Sequence, residues 1–150
     1  GGGMTADILE KRDFKEGMDN GIQYFVISNR TFGHLSTTSG RFVADSSGEL
    51  LGTLVKCVCK LTDTELNTLG AAKKLSEWGI PHMIIQHISS DASGSDGVIA
   101  DSISLFHEMH KEKGVKGKIY IVSKEMRHND ALSVEHEQRL HSEIRCFFEK

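Results

Sequence analysis

Residues 62–88 read TDTELNTLGAAKKLSEWGIPHMIIQHI, and the hydrophobic period changes within this stretch. The first part carries its apolar residues at helical spacing, at Leu66, Leu69, Ala72, Leu75 and Trp78. Thr62, with Glu65 three places later, predicts a capping box at the start of this helix. Gly79 predicts its end, and Pro81 prevents it from restarting. The apolar run His82 to Ile88 then predicts a buried strand.

The chain beyond this stretch repeats the pattern of helix followed by strand. After a polar loop over 89–97, residues 98–113 predict a second amphipathic helix, with Ile99, Ile103, Phe106 and Met109 on one side. Lys118 to Ser123 predict another strand. Ser133 can cap a last helix whose inward face carries Leu140, Ile144, Phe147 and Phe148. Strands separated by helices are expected to pair in parallel.

The chain before this stretch predicts three further strands. Ile22 to Ile27 is rich in β-branched and aromatic residues, and residues 28–40 form a polar loop. Arg41 to Asp45 and Glu49 to Leu61 predict two strands joined by a hairpin turn at Asp45-Ser46-Ser47-Gly48. Short links predict antiparallel pairing here. The expected fold class is therefore α/β, with a mixed sheet in the order β-β-β-α-β-α-β-α.

Composition limits the compartment and the partners. Gly1 to Gly3 precede Met4 and are interpreted as a cloning scar, residues 4–20 as an arm, and residues 21–150 as a single α/β domain. The formal net charge of −3 counts against a strongly electrostatic nucleic-acid binder. No apolar run is long enough to span a membrane, so no membrane partner is expected. Three cysteines without a CxxC pair predict buried free thiols and a cytoplasmic or nuclear location.

Two segments resemble the ribonuclease H-like domains related to reverse transcriptases. The first, residues 41–88, begins RFVADSSGELLG and continues through the helix and strand quoted above. The second, residues 128–132, reads HNDAL and resembles the start of that family's last helix. The resemblance implies a ribonuclease H-like fold. It also implies a site where a set of carboxylates holds two divalent metal ions that cut the RNA strand of an RNA–DNA hybrid.

Only part of that carboxylate set is present. Glu65 matches the first-helix position and Asp130 the last-helix position, although a cap and a turn explain these two residues equally well. The first strand, at 27–30, has no acid, and the acid nearest to the fourth-strand end is Asp91 in a loop. The resemblance therefore implies a degenerate site without a cofactor. Such a domain would bind a protein partner, structured RNA or an RNA–DNA hybrid through the sheet face or through the rim of residues 28–39 and 89–97.

Two alternatives remain open from the sequence. In the first, the domain is an active ribonuclease with Mg²⁺ or Mn²⁺, and Asp91, Asp96 or Asp101 completes the metal site. In the second, His34-Leu-Ser36 and His87-Ile-Ser89 act as the paired His-Φ-Ser motifs of two-histidine phosphodiesterases, which they resemble. The basic cluster is interpreted either as a solvated face or as a rim for phosphate, and it comprises Lys111, Lys113, Lys116 and Lys118.

Overall fold

Helices surround a small parallel sheet in the computed structural model, which describes residues 8–9, 14–62, 66–89, 94–112, 115 and 118–149. Within these ranges there are six helices and three strands. In chain order they are α1 (Lys15–Asp19), β1 (Val26–Asn29), α2 (Leu35–Ser47), α3 (Glu49–Leu61), α4 (Thr68–Glu77), β2 (His82–His87), α5 (Leu105–Lys111), β3 (Lys118–Ser123) and α6 (Val134–Phe148). A short 3₁₀ turn, Asp101–Ile103, precedes α5.

The sheet has the order β1-β2-β3, and both strand pairs are parallel. Asn29 at the end of β1 lies opposite Ile85, and His87 at the end of β2 lies opposite Ser123. Every residue of β2 is buried, which explains why its sequence lacks the alternation of a strand with one exposed face. Because all three strands run the same way, their carboxyl ends meet at one edge of the sheet.

The two faces of β2 pack against different helices. Ile84 joins a cluster from α4 and α5, made of Leu69, Ala72, Leu105, Phe106 and Met109. Its neighbours Met83 and Ile85 face the other way and pack with Ile121, Met126 and Leu140 of α6. Trp78 packs at the end of α4 beside Ile80, as its position in the helical stripe predicts. The sheet therefore has a helix layer on each face.

The second half of the predicted secondary structure is confirmed in its main elements. The structure has α4, β2, β3 and α6 in the predicted places, and the Ser133 hydroxyl accepts a hydrogen bond from the His136 amide at 3.2 Å. The predicted helix over 98–113 is shorter, because residues 94–100 form a loop and α5 begins at Leu105. Phe148, expected to face inward, is 53% exposed.

The expected capping box at Thr62 is wrong. Helix α4 begins at Thr68, and its cap is Asn67, whose side chain accepts a hydrogen bond from the Gly70 amide at 2.7 Å. Thr62 instead ends α3, where its hydroxyl donates to the Val58 carbonyl at 2.8 Å. Glu65, the other member of the box, lies outside the described residues.

The expected antiparallel strands over 41–45 and 49–61 are also wrong, because both segments are helical. From β1 onward, the order in the described chain is β-α-α-α-β-α-β-α rather than β-β-β-α-β-α-β-α. Leu50, Leu54, Val58 and Leu61 follow helical spacing, and this periodicity prevails over the short alternation that suggested a strand. Gly48, expected in a hairpin turn, joins α2 to α3 with a φ of 95° that favours glycine.

Because residues 49–61 form a helix and not a strand, two of the cysteines are less buried than expected. On a helix, residues two apart point to different sides, so Cys57 is exposed and Cys59 half-buried, where a strand would have buried both. Cys146 is exposed on α6. None of the three cysteines, all within the described residues, forms a disulfide, as the sequence predicts, but the expected burial is wrong.

Helices α2 and α3 form an antiparallel pair whose backbones touch at two glycines. A Cβ atom placed on Gly40 would lie 2.8 Å from the Gly52 carbonyl oxygen, and one on Gly52 would lie 2.6 Å from the Ala44 Cβ. The opposite side of α3 is an apolar stripe in solvent, with Leu50 and Leu61 each 86% exposed. No helix in the described ranges is long and apolar enough to cross a membrane.

Replacing Gly52 with leucine is expected to separate α2 from α3, because the new side chain would meet backbone that cannot move away cheaply. These two helices pack chiefly on each other. Hydrogen exchange should therefore show lost amide protection over residues 35–61, with protection kept in β2 and β3. The matched variant Leu50→Gln should keep protection throughout. Full protection of α2 and α3 in Gly52→Leu would contradict the close approach of the two backbones.

Candidate functional site

Buried polar side chains gather at the carboxyl edge of the sheet. Arg30 and Gln86 come from the ends of β1 and β2, and two aspartates, Asp96 and Asp101, come from the loop that leads to α5. His128 approaches from the turn that follows β3. The carboxyl edge is where parallel sheets place their ligand sites, because the loops there converge. The edge can hold a ligand only if one of these side chains has a hydrogen-bond donor or acceptor that the fold does not use.

His87 and Asp101 form a closed pair beneath this edge. The Nδ1 of His87 lies 2.8 Å from Oδ1 of Asp101, and its Nε2 lies 2.9 Å from the Lys124 carbonyl oxygen. Oδ2 of Asp101 accepts hydrogen bonds from the Ser89 amide and hydroxyl, each at 2.6 Å. The side chain of Asp101 is 1% exposed. These bonds tie the ends of β2 and β3 to the 94–101 loop.

Both ring nitrogens of His87 face acceptors, so the arrangement is satisfied when both carry a proton and the imidazolium pairs with Asp101. Burial acts to raise the pKa of Asp101. The hydrogen bonds from Ser89 and His87, together with the charge of His87, outweigh burial and lower the pKa below its ordinary value of 3.8. The pair is a structural clamp with no ring nitrogen left for a ligand.

His128 and Asp96 form a second pair with a different geometry. The Nδ1 of His128 lies 2.8 Å from Oδ2 of Asp96, whose side chain is fully buried. Oδ1 of Asp96 accepts the amides of Val98 and Ile99 at 2.9 and 2.7 Å. The side chain of His128 is 29% exposed, and its Nε2 makes no hydrogen bond within the described part of the chain. This histidine, unlike His87, keeps one nitrogen for a ligand.

Arg30 is a buried cation without a counter-charge among the described residues. It is 6% exposed, and one guanidinium nitrogen, Nη1, donates to the His128 carbonyl at 2.6 Å. The other two, Nε and Nη2, are buried and have no hydrogen-bond partner in the described chain. Its φ of 50° is the only left-handed backbone found at a described residue other than glycine. Strained backbone of this kind clusters at functional sites.

Gln86 supplies a further unsatisfied donor at the neighbouring strand end. It is fully buried, and its Oε1 accepts the Thr31 amide at 3.1 Å. That bond fixes the orientation of the amide, because the Thr31 N–H requires an oxygen. The Nε2 of Gln86 is left without a partner in the ranges described. Buried polar groups are usually paired, so two adjacent residues with spare donors are unusual.

The carboxylates implied by the ribonuclease resemblance are not brought together in the described residues. Glu65 and Asp91 lie outside those residues. Asp130 is exposed in a turn, where its Oδ2 accepts the Arg127 amide at 3.0 Å. The two loop acids considered as replacements, Asp96 and Asp101, are each paired with a histidine. In the described ranges, no three His, Cys, Asp or Glu side chains form a group that could hold a metal ion.

The two His-Φ-Ser motifs have different neighbours. His34 precedes α2, with its Nε2 4.0 Å from Oε2 of Glu108 on α5, and Ser36 is buried in the first turn of α2. His87 and Ser89 belong to the Asp101 clamp. The clamp engages both ring nitrogens of His87, so this histidine is poorly suited to proton transfer in a paired-histidine site.

The lysine cluster is described only in part. Lys111 is exposed at the end of α5, one turn after His107. Burial, and then the charges of Lys111 and His110, lower the pKa of His107. Lys113 and Lys116 fall outside the described residues, and of Lys118 only the backbone, in β3, is described. The expected phosphate rim therefore stays a prediction.

Sequence reasoning missed Arg30 and Gln86 as site residues. The rim predicted at 28–39 and 89–97 does include Arg30 and Asp96. A usable signal was present, since Arg30 directly follows an apolar strand at the position where the ribonuclease resemblance required an acid. A charged residue at the carboxyl end of a buried strand is typical of a ligand contact. No sequence pattern predicted the hydrogen bond between His128 and Asp96.

No family model, curated protein or solved structure matches the chain. The likeness to ribonuclease H-like domains consequently rests on the residues of segments 41–88 and 128–132 alone.

Proposed function

We propose that this chain is a binding module that holds an anion of the phosphate class at the carboxyl edge of its sheet, with Arg30 as the recognising residue. The observation that carries the proposal is the buried guanidinium with two unused donor atoms and no counter-charge in the described chain. A charge removed from water without a partner is costly. A bound anion would supply both the charge and the acceptors.

The ligand class follows from the chemistry of the unsatisfied groups. The spare atoms on Arg30 and Gln86 are all donors, so the ligand must bring acceptor oxygens. Phosphate and carboxylate both do so, and the planar guanidinium binds either through two parallel hydrogen bonds. Phosphate is the better match, because it has enough oxygens to accept from Arg30 and from a neighbouring donor together.

The scale of the site favours a single phosphate group over a long nucleic acid. The chain has a formal net charge of −3, and Arg30 is the one Lys or Arg side chain that is buried among the described residues. Binding of duplexes or hybrids depends on many basic contacts along the backbone. A phosphorylated small molecule therefore suits the site better than the structured RNA or RNA–DNA hybrid expected from the resemblance.

Titration calorimetry with inorganic phosphate tests the proposal. Wild-type protein is expected to bind one phosphate per chain, and Arg30→Met should weaken binding about 100-fold or more. Two charge-assisted hydrogen bonds, each contributing about 1.5–3 kcal/mol, would be lost. The matched control is Arg139→Met on the exposed side of α6, which should bind as wild type does. Equal binding by wild type and Arg30→Met, or no binding by wild type, would contradict the proposal.

A metal-dependent ribonuclease remains the alternative function, with less support. Its scaffold was expected to place strands over 41–45 and 49–61, where the structure has helices. The test is cleavage of a labelled RNA–DNA hybrid with Mg²⁺ or Mn²⁺, beside a Glu65→Gln variant. Metal-dependent cleavage that the variant loses would favour this alternative over the binding module.

A further inference from the structure

We propose that the anion site also hydrolyses a phosphate ester, with His128 as the proton-transfer residue and Asp96 as the residue that positions it. This inference rests on the proposed phosphate site. It goes beyond binding because it assigns a reaction to the site. Its support is a histidine that a buried carboxylate holds at Nδ1, and whose main-chain carbonyl accepts a hydrogen bond from the buried Arg30 guanidinium.

Asp96 fixes the tautomer of His128. Oδ2 of Asp96 lies 2.8 Å from Nδ1, so a neutral His128 keeps its proton on Nδ1 and its lone pair on Nε2. The two backbone amides at Oδ1 hold the carboxylate in place. The main chain adds a further tie, since the His128 amide donates to the Asp96 carbonyl at 2.7 Å. A carboxylate behind a histidine in this way prepares the outer nitrogen to accept a proton.

Arg30 contacts the main chain of the same histidine. Its Nη1 donates to the main-chain carbonyl of His128 at 2.6 Å, so the guanidinium contacts the backbone of this residue. His128 is the more exposed of the two, with 29% of its side chain in solvent, and a ligand would enter past it. The proposed reaction requires that a phosphate held by Nε and Nη2 of Arg30 reach Nε2 of His128.

The reaction is balanced as a transfer of the phosphoryl group to water. His128 Nε2 takes a proton from a water molecule while the water oxygen forms a bond to phosphorus. The bond between phosphorus and the ester oxygen on the opposite side breaks, that oxygen takes a proton from solvent and leaves as an alcohol, and His128 releases its proton to solvent. Arg30 stabilises the negative charge that develops on the phosphoryl oxygens. The products are one alcohol and inorganic phosphate, or a phosphate monoester if the substrate was a diester.

Release of nitrophenolate from para-nitrophenyl phosphate and from bis(para-nitrophenyl) phosphate tests the activity and separates monoester from diester substrates. Wild type is expected to turn over one of the two. His128→Gln should lower kcat about 100-fold or more, and inorganic phosphate should still bind within about threefold of wild type. The matched control is His141→Gln, an exposed histidine of α6, which should keep the wild-type rate.

The variant Asp96→Asn tests whether Asp96 orients His128 for proton transfer or only stabilises the fold. The Asn oxygen can keep the amides of Val98 and Ile99, and its NH₂ group would then face His128 Nδ1. The proton should move to Nε2, which ring-nitrogen NMR of histidine-labelled protein would report, and kcat should fall with little change in KM. Unchanged turnover in His128→Gln, or an unchanged tautomer in Asp96→Asn, would overturn the assignment.

Failure of this inference can be told apart from failure of the phosphate site. If wild type binds phosphate by calorimetry but releases nitrophenolate from neither ester, the hydrolysis is refuted and the binding function stands. If wild type neither binds phosphate nor hydrolyses either ester, both fall.

Discussion

Asp101→Asn is expected to lower the free energy of unfolding by about 3–5 kcal/mol, the cost of removing one partner from a buried ion pair. The carboxylate accepts from His87 on one oxygen and from Ser89 on the other. An amide has only one oxygen, so its NH₂ group would face either the donors of Ser89 or His87 Nδ1, and in the second case His87 would have to lose its Nδ1 proton and with it the ion pair. The substitution keeps the shape of the side chain, and the loss therefore measures charge and hydrogen bonding rather than packing.

Urea denaturation at neutral pH measures this loss. The control is Asp45→Asn, which removes the exposed ion pair with Arg41 on α2 at 3.0 Å. That pair is worth about 0–1 kcal/mol at most, as exposed pairs usually are. Similar losses in the two variants would mean that Asp101 is not held as a buried charge.

The contribution of the Asp101 carboxylate should also appear in the pH dependence of the free energy of unfolding. The folded protein holds the pKa of Asp101 below its ordinary value of 3.8, so the unfolded chain binds the proton more readily. The stabilisation is fully present above that ordinary value and is lost as the pH falls through the lower, folded-state pKa. On acid titration, the free energy of unfolding should therefore fall more steeply in wild type than in Asp101→Asn.

Arg30→Met is expected to raise the free energy of unfolding of the ligand-free protein by about 1–4 kcal/mol, which is the opposite of what most buried substitutions do. Replacing buried charge with an apolar side chain of similar length removes a desolvation cost. Methionine and arginine are strained alike at a φ of 50°, so the backbone contribution should cancel. Within the described chain, the substitution removes one hydrogen bond, which Nη1 donates to the His128 carbonyl.

Urea denaturation in a buffer without phosphate measures this effect. Arg139→Met is the control and should change stability by less than about 0.5 kcal/mol, since the side chain is exposed. A large destabilisation by Arg30→Met would show that the guanidinium is satisfied within the fold. That result would remove the argument for an anionic ligand.

The sequence predicts correctly those elements that a clear apolar run or a periodic apolar face marks. β2 and β3 are short apolar runs between helix signals, and α6 has both a cap and a periodic face. The error lies at 41–61, where alternation over Val55, Cys57 and Cys59 suggested a strand. A helical stripe at Leu50, Leu54 and Leu61 runs through the same residues, and it is solvent-exposed, so burial gave no guide to the choice.

The candidate site could be predicted less well, because its members meet only through tertiary structure. Asp96 and His128 are separated by 32 positions, and Arg30 and His128 by 98. The sequence directed attention to carboxylates, because the ribonuclease resemblance required them. The feature that the structure adds is the absence of an acid beside Arg30 in the described residues, and a one-dimensional pattern does not show which charges remain unpaired.

The central claim, that Arg30 is a buried cation that requires an anion, is tested most directly by measuring the free energy of unfolding of wild type and Arg30→Met with and without inorganic phosphate. In wild type, phosphate at about 100 times its Kd should add about 2.7 kcal/mol. Arg30→Met should start from a higher value and gain nothing from phosphate. Equal gains in the two proteins, or no gain in wild type, would contradict the claim.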